Sequence, residues 1–215
     1  MLHKSLPQPI LCLITDIKRY GYSNVHDTVK LAVEGGVNMV QIREKDMSAK
    51  DTLRLVKELT SIIDDRALIL VNERLDVAIA SEVDGVHLGE NSFQPLVARK
   101  IVSQRMLIGR SVHSVDAAID AQAQGVDYLI GGSIFKTNSH PNVKPMGLQF
   151  LEKLQMNVDI PFIAVGGINE SNVSDVMQLG AGGIAVIGAI CDSGSPREAA
   201  QNLRLLIENV WSANS

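Results

Sequence analysis

Residues 39–46 read MVQIREKD, and Gln41, Arg43 and Lys45 stand at every second position of that run. In an extended strand alternate side chains share a face, so an amide and two cations point the same way. Such a row is costly inside a fold unless an anion meets it. It therefore either borders solvent as a charged loop or lines a pocket that takes an anionic molecule. Further residues with chemical potential sit at the ends of other apolar runs. These are Asn72, Glu73 and Arg74 in VNER, His87, Glu90 and Asn91 in VHLGEN, Arg110, Ser111 and His113 in GRSVHS, and Ser133, Lys136, Thr137, Ser139 and His140 in GGSIFKTNSH. Asn72 offers both a donor and an acceptor, and Ser111 is in phase with His113. Histidine titrates near neutrality, so His113 and His140 are candidate proton carriers. His87, within its apolar run, is expected as a packed, hydrogen-bonded core residue.

Two glycine-rich ends carry a more specific signal. Gly166-Gly167-Ile168 precedes Asn169-Glu170-Ser171-Asn172 at the start of a helical stretch, and Ile187-Gly188-Ala189 ends the last apolar run. Glycine lets backbone N–H groups approach an anion closely. Gly166, Gly167, Ile187 and Gly188 are therefore expected to form a phosphate-binding pair of loops.

The elements that position these residues alternate along the whole chain. Strands are expected at Ile10–Thr15, Met39–Glu44, Ala67–Asn72, Gly85–Gly89, Leu107–Val112, Tyr128–Ser133, Phe162–Gly167 and Gly183–Gly188. Most are continuous apolar runs, as in parallel strands covered on both faces. Amphipathic stretches lie between them at Val25–Val33, Ser48–Asp64, Leu75–Ser81, Pro95–Val102, Val115–Gln124, Leu148–Met156, Ser171–Leu179 and Pro196–Trp211. No Pro/Ser-rich linker divides the 215 residues, so residues 1–215 are read as one domain. The order of elements predicts an α/β fold, a TIM (β/α)8 barrel with short helices. In such barrels the active site lies at the C-terminal strand ends, and the last two loops commonly hold phosphate. The polar residues above concentrate at those ends.

Composition narrows the function classes. Net charge is −4, hydrophobic residues make up 46% and charged residues 20%. That balance fits an ordinary globular chain, and it gives no basic surface for nucleic acid or anionic membrane. No apolar run reaches the ~18 residues of a membrane span. The opening stretch MLHKSLPQPILCLIT is read as a buried first strand rather than a signal peptide. Cys12 and Cys191 are expected as reduced thiols, and a cytoplasmic location follows as an expectation.

QIREK, VNERLDVAIA, DGVHLGENS, IGRSVHS, DYLIGGSIFKTNSH and PFIAVGGI…GAGGIAVIGAI occur in this order at the strand ends. Together they resemble the thiamin-phosphate synthase / TenI family over essentially the whole chain. The resemblance implies a barrel that handles the thiamin thiazole phosphate. The synthase branch joins a pyrimidine-methyl diphosphate to that thiazole with magnesium and releases pyrophosphate. The TenI branch isomerises a thiazole carboxylate phosphate to its aromatic tautomer. On the matching positions, Gln41, Arg43, Lys45, Asn72 and Ser111 look like pyrimidine and diphosphate contacts. Ser133, Thr137 and Ser139 look like substrate contacts in the long loop, and Gly166, Gly167, Ile187 and Gly188 like the thiazole-phosphate loops.

Two departures bear on the branch. The synthase pattern has Asn-Asp where this chain has Asn72-Glu73, and its second metal-binding Asp falls at Ser92. Magnesium prefers carboxylate oxygens in near-octahedral geometry. On that ground the sequence favours a TenI-like thiazole tautomerase with no cofactor, no metal ligands and an acid/base among His113, His140, Lys45 and Glu73. The alternatives are the synthase, with magnesium, and a non-catalytic phosphate-binding barrel. The expected partner is a small molecule, thiazole phosphate, and a homodimer is left open.

Overall fold

The computed structural model describes residues 5–102, 104–137, 139 and 142–214. The candidate His140 lies outside the described residues. Among these, eight parallel strands pair in chain order and the last closes on the first. They are β1 (Ile10–Ile14), β2 (Met39–Ile42), β3 (Leu68–Asn72), β4 (Gly85–Leu88), β5 (Leu107–Val112), β6 (Tyr128–Gly132), β7 (Phe162–Val165) and β8 (Gly183–Val186). This is the (β/α)8 barrel expected from the element order. The helices are α1 (Ile17–Tyr20), α2 (Tyr22–Glu34), α3 (Ala49–Ile63), α4 (Leu75–Ser81), α5 (Pro95–Val102), α6 (Val115–Ala123), α7 (Leu148–Asn157), α8 (Val173–Gln178), α9 (Gly188–Cys191) and α10 (Pro196–Asn214). None is long and apolar enough to cross a membrane.

The strands are continuously apolar because each serves two cores. Ile10, Cys12, Met39, Leu68, Leu70, Leu107, Tyr128 and Ile163 fill the barrel interior. Their neighbours Leu11, Leu13, Val40, Ile42, Ile69 and Val71 pack outward against the helices. Alternation thus decides which side chains reach the mouth. On β2, Met39 and Gln41 point inward, and the phase continues to Arg43 beyond the strand. The helix α3 illustrates the outer layer. Ser48 caps it by accepting from the Asp51 N–H at 3.2 Å, and Leu55, Val56, Leu59 and Ile63 form its buried stripe.

The elements differ from expectation mainly at their ends. β2 stops at Ile42 rather than Glu44. Glu44 leaves the ladder because its carboxylate accepts from Thr15 Oγ1 at 2.6 Å and from the Ile17 N–H at 3.1 Å. The helices α1 and α9 each span 4 residues, too few to show a helical period in sequence.

Candidate active site

A cavity of about 640 Å³ opens at the C-terminal ends of the strands. Gln41, Arg43, Lys45, Asn72, Glu73, Ser111, His113, Ser133, Thr137, Ser139, Gly166, Gly167, Ile187 and Gly188 all line it. Most of the described residues singled out from sequence therefore meet in one place, whereas Arg74 pairs with Asp76 and Arg110 holds a loop from behind. The chemistry of the cavity divides into two sides.

On the first side Gln41 is buried, and its Nε2 donates to Asn72 Oδ1 at 2.9 Å. Its Oε1 is the one buried side-chain polar atom without a partner among the described residues. An orphan acceptor of this kind costs about 1–3 kcal/mol unless something donates to it. Arg43 is half-buried beyond it, and Lys45 is exposed at the rim. Glu44 points away and ties this segment to the start of α1. Burial pushes its carboxyl pKa up against the opposing pull of Thr15 and the Ile17 N–H.

Glu73 and Glu90 also border the cavity. Glu73 sits in the left-handed region at φ +62°, and its carboxylate lies over Gly89, where a Cβ would overlap it. A glycine at 89 thus gives the longer acid room to enter the cavity. The neighbouring loop is held from behind by the buried Arg110, which donates to the carbonyls of Glu90 at 3.0 Å and Phe93 at 3.1 Å. A turn closed by the Ser92 N–H and the Gly89 carbonyl, 3.0 Å apart, presents Glu90 and Asn91 to the cavity; Ser92 does not line it. Glu90 Oε2 lies 3.2 Å from His113 Nδ1. Among the described residues no three acidic, His or Cys side chains cluster to hold a metal by themselves. A magnesium ion shared between a substrate diphosphate and one or two protein carboxylates needs no such cluster. Glu73 and Glu90 fit that requirement.

On the opposite side Gly166 and Gly167 adopt φ +102° and +68°, a region that other residues enter only with strain. The long loop is stitched to them, since the Phe135 N–H donates to the Gly166 carbonyl at 2.9 Å. A Cβ on Gly166 would overlap Ser133, so Ser133 is packed against the turn. Gly188 begins α9 on the last loop.

Lys136, named from the sequence, also lines the cavity, as do two charged residues the sequence reading did not single out, Arg19 and Asp192. Arg19 Nε donates to Asp192 Oδ1 at 2.7 Å, and its Nη1 donates to Ser139 Oγ at 2.9 Å. A planar guanidinium is suited to such a fork. It ties the loops after β1, β6 and β8 together beside Gly188. Arg19→Met is expected to raise KM for a phosphate-bearing substrate of the glycine loops about five-fold. Steady-state kinetics with each substrate varied in turn checks this, because KM for a substrate on the other side should stay within about two-fold.

His87 is buried between the two sides, bonded to Ser111 and Tyr128. Burial, with the charges of Arg110 and Arg43, pushes its pKa down from 6.5 to about 3. An unfolded chain takes up a proton near 6.5 that the native imidazole refuses until about 3. The stability this residue contributes is therefore complete above pH 6.5 and is lost as pH falls toward 3. Between pH 6 and 4 the wild type is expected to lose about 1 kcal/mol more per pH unit than His87→Asn. Urea unfolding at stepped pH measures the difference, and parallel slopes would count against it.

Comparison with known proteins agrees with this geometry. The family model described as thiamine monophosphate synthase (TMP-TENI) matches residues 11–190. A thiamine-phosphate synthase of Clostridium botulinum is 41% identical over 195 residues, covering 90% of this chain and 95% of that protein. One from Methanoculleus marisnigri is 42% identical over 197 residues, covering 90% and 93%. The solved structure of a thiamine phosphate pyrophosphorylase from Pyrococcus furiosus superposes with a TM-score of 0.86 at 36% identity, covering 94% of this chain and 96% of that one.

These relatives overturn the tautomerase expectation, because they carry the synthase name at about this level of identity over most of the chain. The physical source of the error is local. The expectation rested on the acid being lengthened at position 73 and lost at 92, whereas Glu73 and Glu90 both line the cavity and Ser92 does not. The acid/base role considered for His113, His140, Lys45 or Glu73 belonged to that tautomerase reading. The chain belongs to the thiamine monophosphate synthase (TMP-TENI) family.

Proposed function

We propose that the protein is a thiamine-phosphate synthase, a magnesium-dependent transferase that joins a pyrimidine-methyl diphosphate to thiazole phosphate and releases pyrophosphate. The observation that carries this reading is the two-sided cavity. Arg43, Lys45, Glu73 and Glu90 border it together with the glycine loops at 166–167 and 187–188. That arrangement suits two anionic substrates meeting in one place.

In this reading the methylene–oxygen bond breaks and its electron pair leaves with the diphosphate. The thiazole nitrogen gives its lone pair to the methylene carbon and forms the new bond. Arg43 and Lys45 meet the non-bridging oxygens of the diphosphate, where negative charge grows as the bond breaks. Glu73 and Glu90 are the residues that would hold magnesium. When bound, the ion neutralises leaving-group charge. The Oε1 of Gln41 accepts from an amino group on the pyrimidine, and Asn72 fixes the amide through its Oδ1. Gly166, Gly167, Ile187 and Gly188 hold the thiazole phosphate with backbone N–H groups, with Ser133, Thr137 and Ser139 alongside. Bringing both reactants into one cavity supplies much of the rate enhancement.

The test is to incubate the protein with both substrates and magnesium and to look for thiamin phosphate by mass spectrometry. Sustained multiple turnover is expected. Binding of thiazole phosphate without product would reject the synthase reading.

A further inference from the structure

His87, Ser111 and Tyr128 form a chain of polar side chains with one end in the cavity and the other inside the barrel. They come from three adjacent strands. His87 of β4 is in register with Gly109 of β5, and Gly109 with Tyr128 of β6. A Cβ on Gly109 would overlap the Tyr128 ring. The missing side chain lets the phenol cross β5 and place its hydroxyl 3.2 Å from His87 Nδ1. The other ring nitrogen, Nε2, is 2.8 Å from Ser111 Oγ. Tyr128 is fully buried, while Ser111 borders the cavity.

The hydrogens can be counted. A neutral imidazole has one N–H, and each hydroxyl has one O–H. If the N–H is on Nδ1, it donates to the tyrosine oxygen. The phenol hydrogen is then stranded inside the barrel, since among the described residues His87 is the hydrogen-bond partner of Tyr128. Ser111 would spend its own hydrogen on Nε2 and present only lone pairs to the cavity. If the N–H is on Nε2, Tyr128 donates to Nδ1, His87 donates to Ser111 Oγ, and no hydrogen is stranded. An unpaired buried donor is expensive, so the second arrangement prevails.

We infer that Tyr128 is a positioning residue: by donating to His87 Nδ1 it holds the Nε2–H tautomer and leaves the Ser111 hydroxyl hydrogen free to donate toward the cavity. His87 is buried and both its ring nitrogens meet neutral hydroxyls, surroundings that suit an uncharged ring. Ser111 then offers its one hydrogen to a hydrogen-bond acceptor in its ligand. The nearby charge of Arg43 favours an anionic oxygen there. On the reading of this cavity as a diphosphate site, that oxygen belongs to the diphosphate.

Two measurements test the relay. The tautomer is read from long-range 1H–15N correlation spectra of the histidine-labelled protein, with His87→Asn assigning the signal. Binding of inorganic pyrophosphate with magnesium is measured by calorimetry for wild type, Tyr128→Phe, Ser111→Ala and the double variant. The expected results are the Nε2–H tautomer and a loss of pyrophosphate affinity of roughly five- to ten-fold in each single variant. The double variant should bind within about two-fold of Ser111→Ala, since Tyr128 acts through Ser111. Thermal unfolding of Tyr128→Phe, which keeps the ring, checks that the fold persists. An Nδ1–H tautomer in the wild type, or fully additive losses, would overturn the inference. Failure of the wild type to bind pyrophosphate would instead reject the diphosphate reading, and the tautomer would still decide the direction of the relay.

Discussion

Arg43→Met is expected to lower kcat/KM for the pyrimidine diphosphate by roughly 10²–10³-fold, and to leave KM for thiazole phosphate within about two-fold. The size of the effect follows from where Arg43 sits. It is half-buried at the end of β2, in phase with the buried Gln41, so its charge acts in a space with less water than the rim. A guanidinium grips two phosphate oxygens at once, and methionine keeps the stem while removing that grip. Lys45, exposed at the rim, is expected to cost only about ten-fold when replaced by methionine. Arg43→Lys should recover part of the loss, since charge returns without the fork. Steady-state kinetics of the three variants, each substrate varied in turn, checks the ordering. Equal losses at 43 and 45 would contradict it.

The second large effect concerns the two acids. Glu73→Gln combined with Glu90→Gln is expected to lower kcat by roughly 10²–10³-fold at low millimolar magnesium. Each single variant should lose less, about ten-fold, because one carboxylate remains. Glutamine keeps the length and the contacts of each side chain while removing the charge that a hard cation needs. The same variants should weaken magnesium-dependent binding of pyrophosphate in calorimetry, a readout independent of turnover. Glu73 is expected to be the more sensitive of the two. Its backbone is held at φ +62° and its carboxylate is packed over Gly89, whereas the Glu90 side chain is about half exposed and shared with His113. Unchanged magnesium dependence in the double variant would show that the ion is held elsewhere.

Much of this site is legible in the sequence for a physical reason. Side chains alternate along a strand, so Gln41 and Arg43 could be placed on one face from eight residues of chain. The barrel topology then puts all strand ends at one mouth. Glycines at 166 and 167 announced their turn because few other residues reach those backbone angles. What the sequence concealed are contacts between distant residues. The Arg19–Asp192 fork spans 173 positions and the Glu44–Thr15 bond spans 29, and neither leaves a local pattern. His87 was expected to be a packed, hydrogen-bonded core residue, and it is. Its bond to Tyr128 depends on the empty place at Gly109 between them, which only the register reveals. The misreading at Ser92 has the same origin. Position-by-position comparison assumes that equivalent residues face the same way. In this loop Glu90 and Asn91 face the cavity instead, behind a backbone pinned by Arg110.

The most direct test of the account is to follow thiamin phosphate and pyrophosphate in the same reaction, with the substrates and magnesium supplied singly and together. The two products should appear in equal amounts, and only when both substrates and magnesium are present. Pyrophosphate released without thiamin phosphate, or no product under any combination, would contradict it.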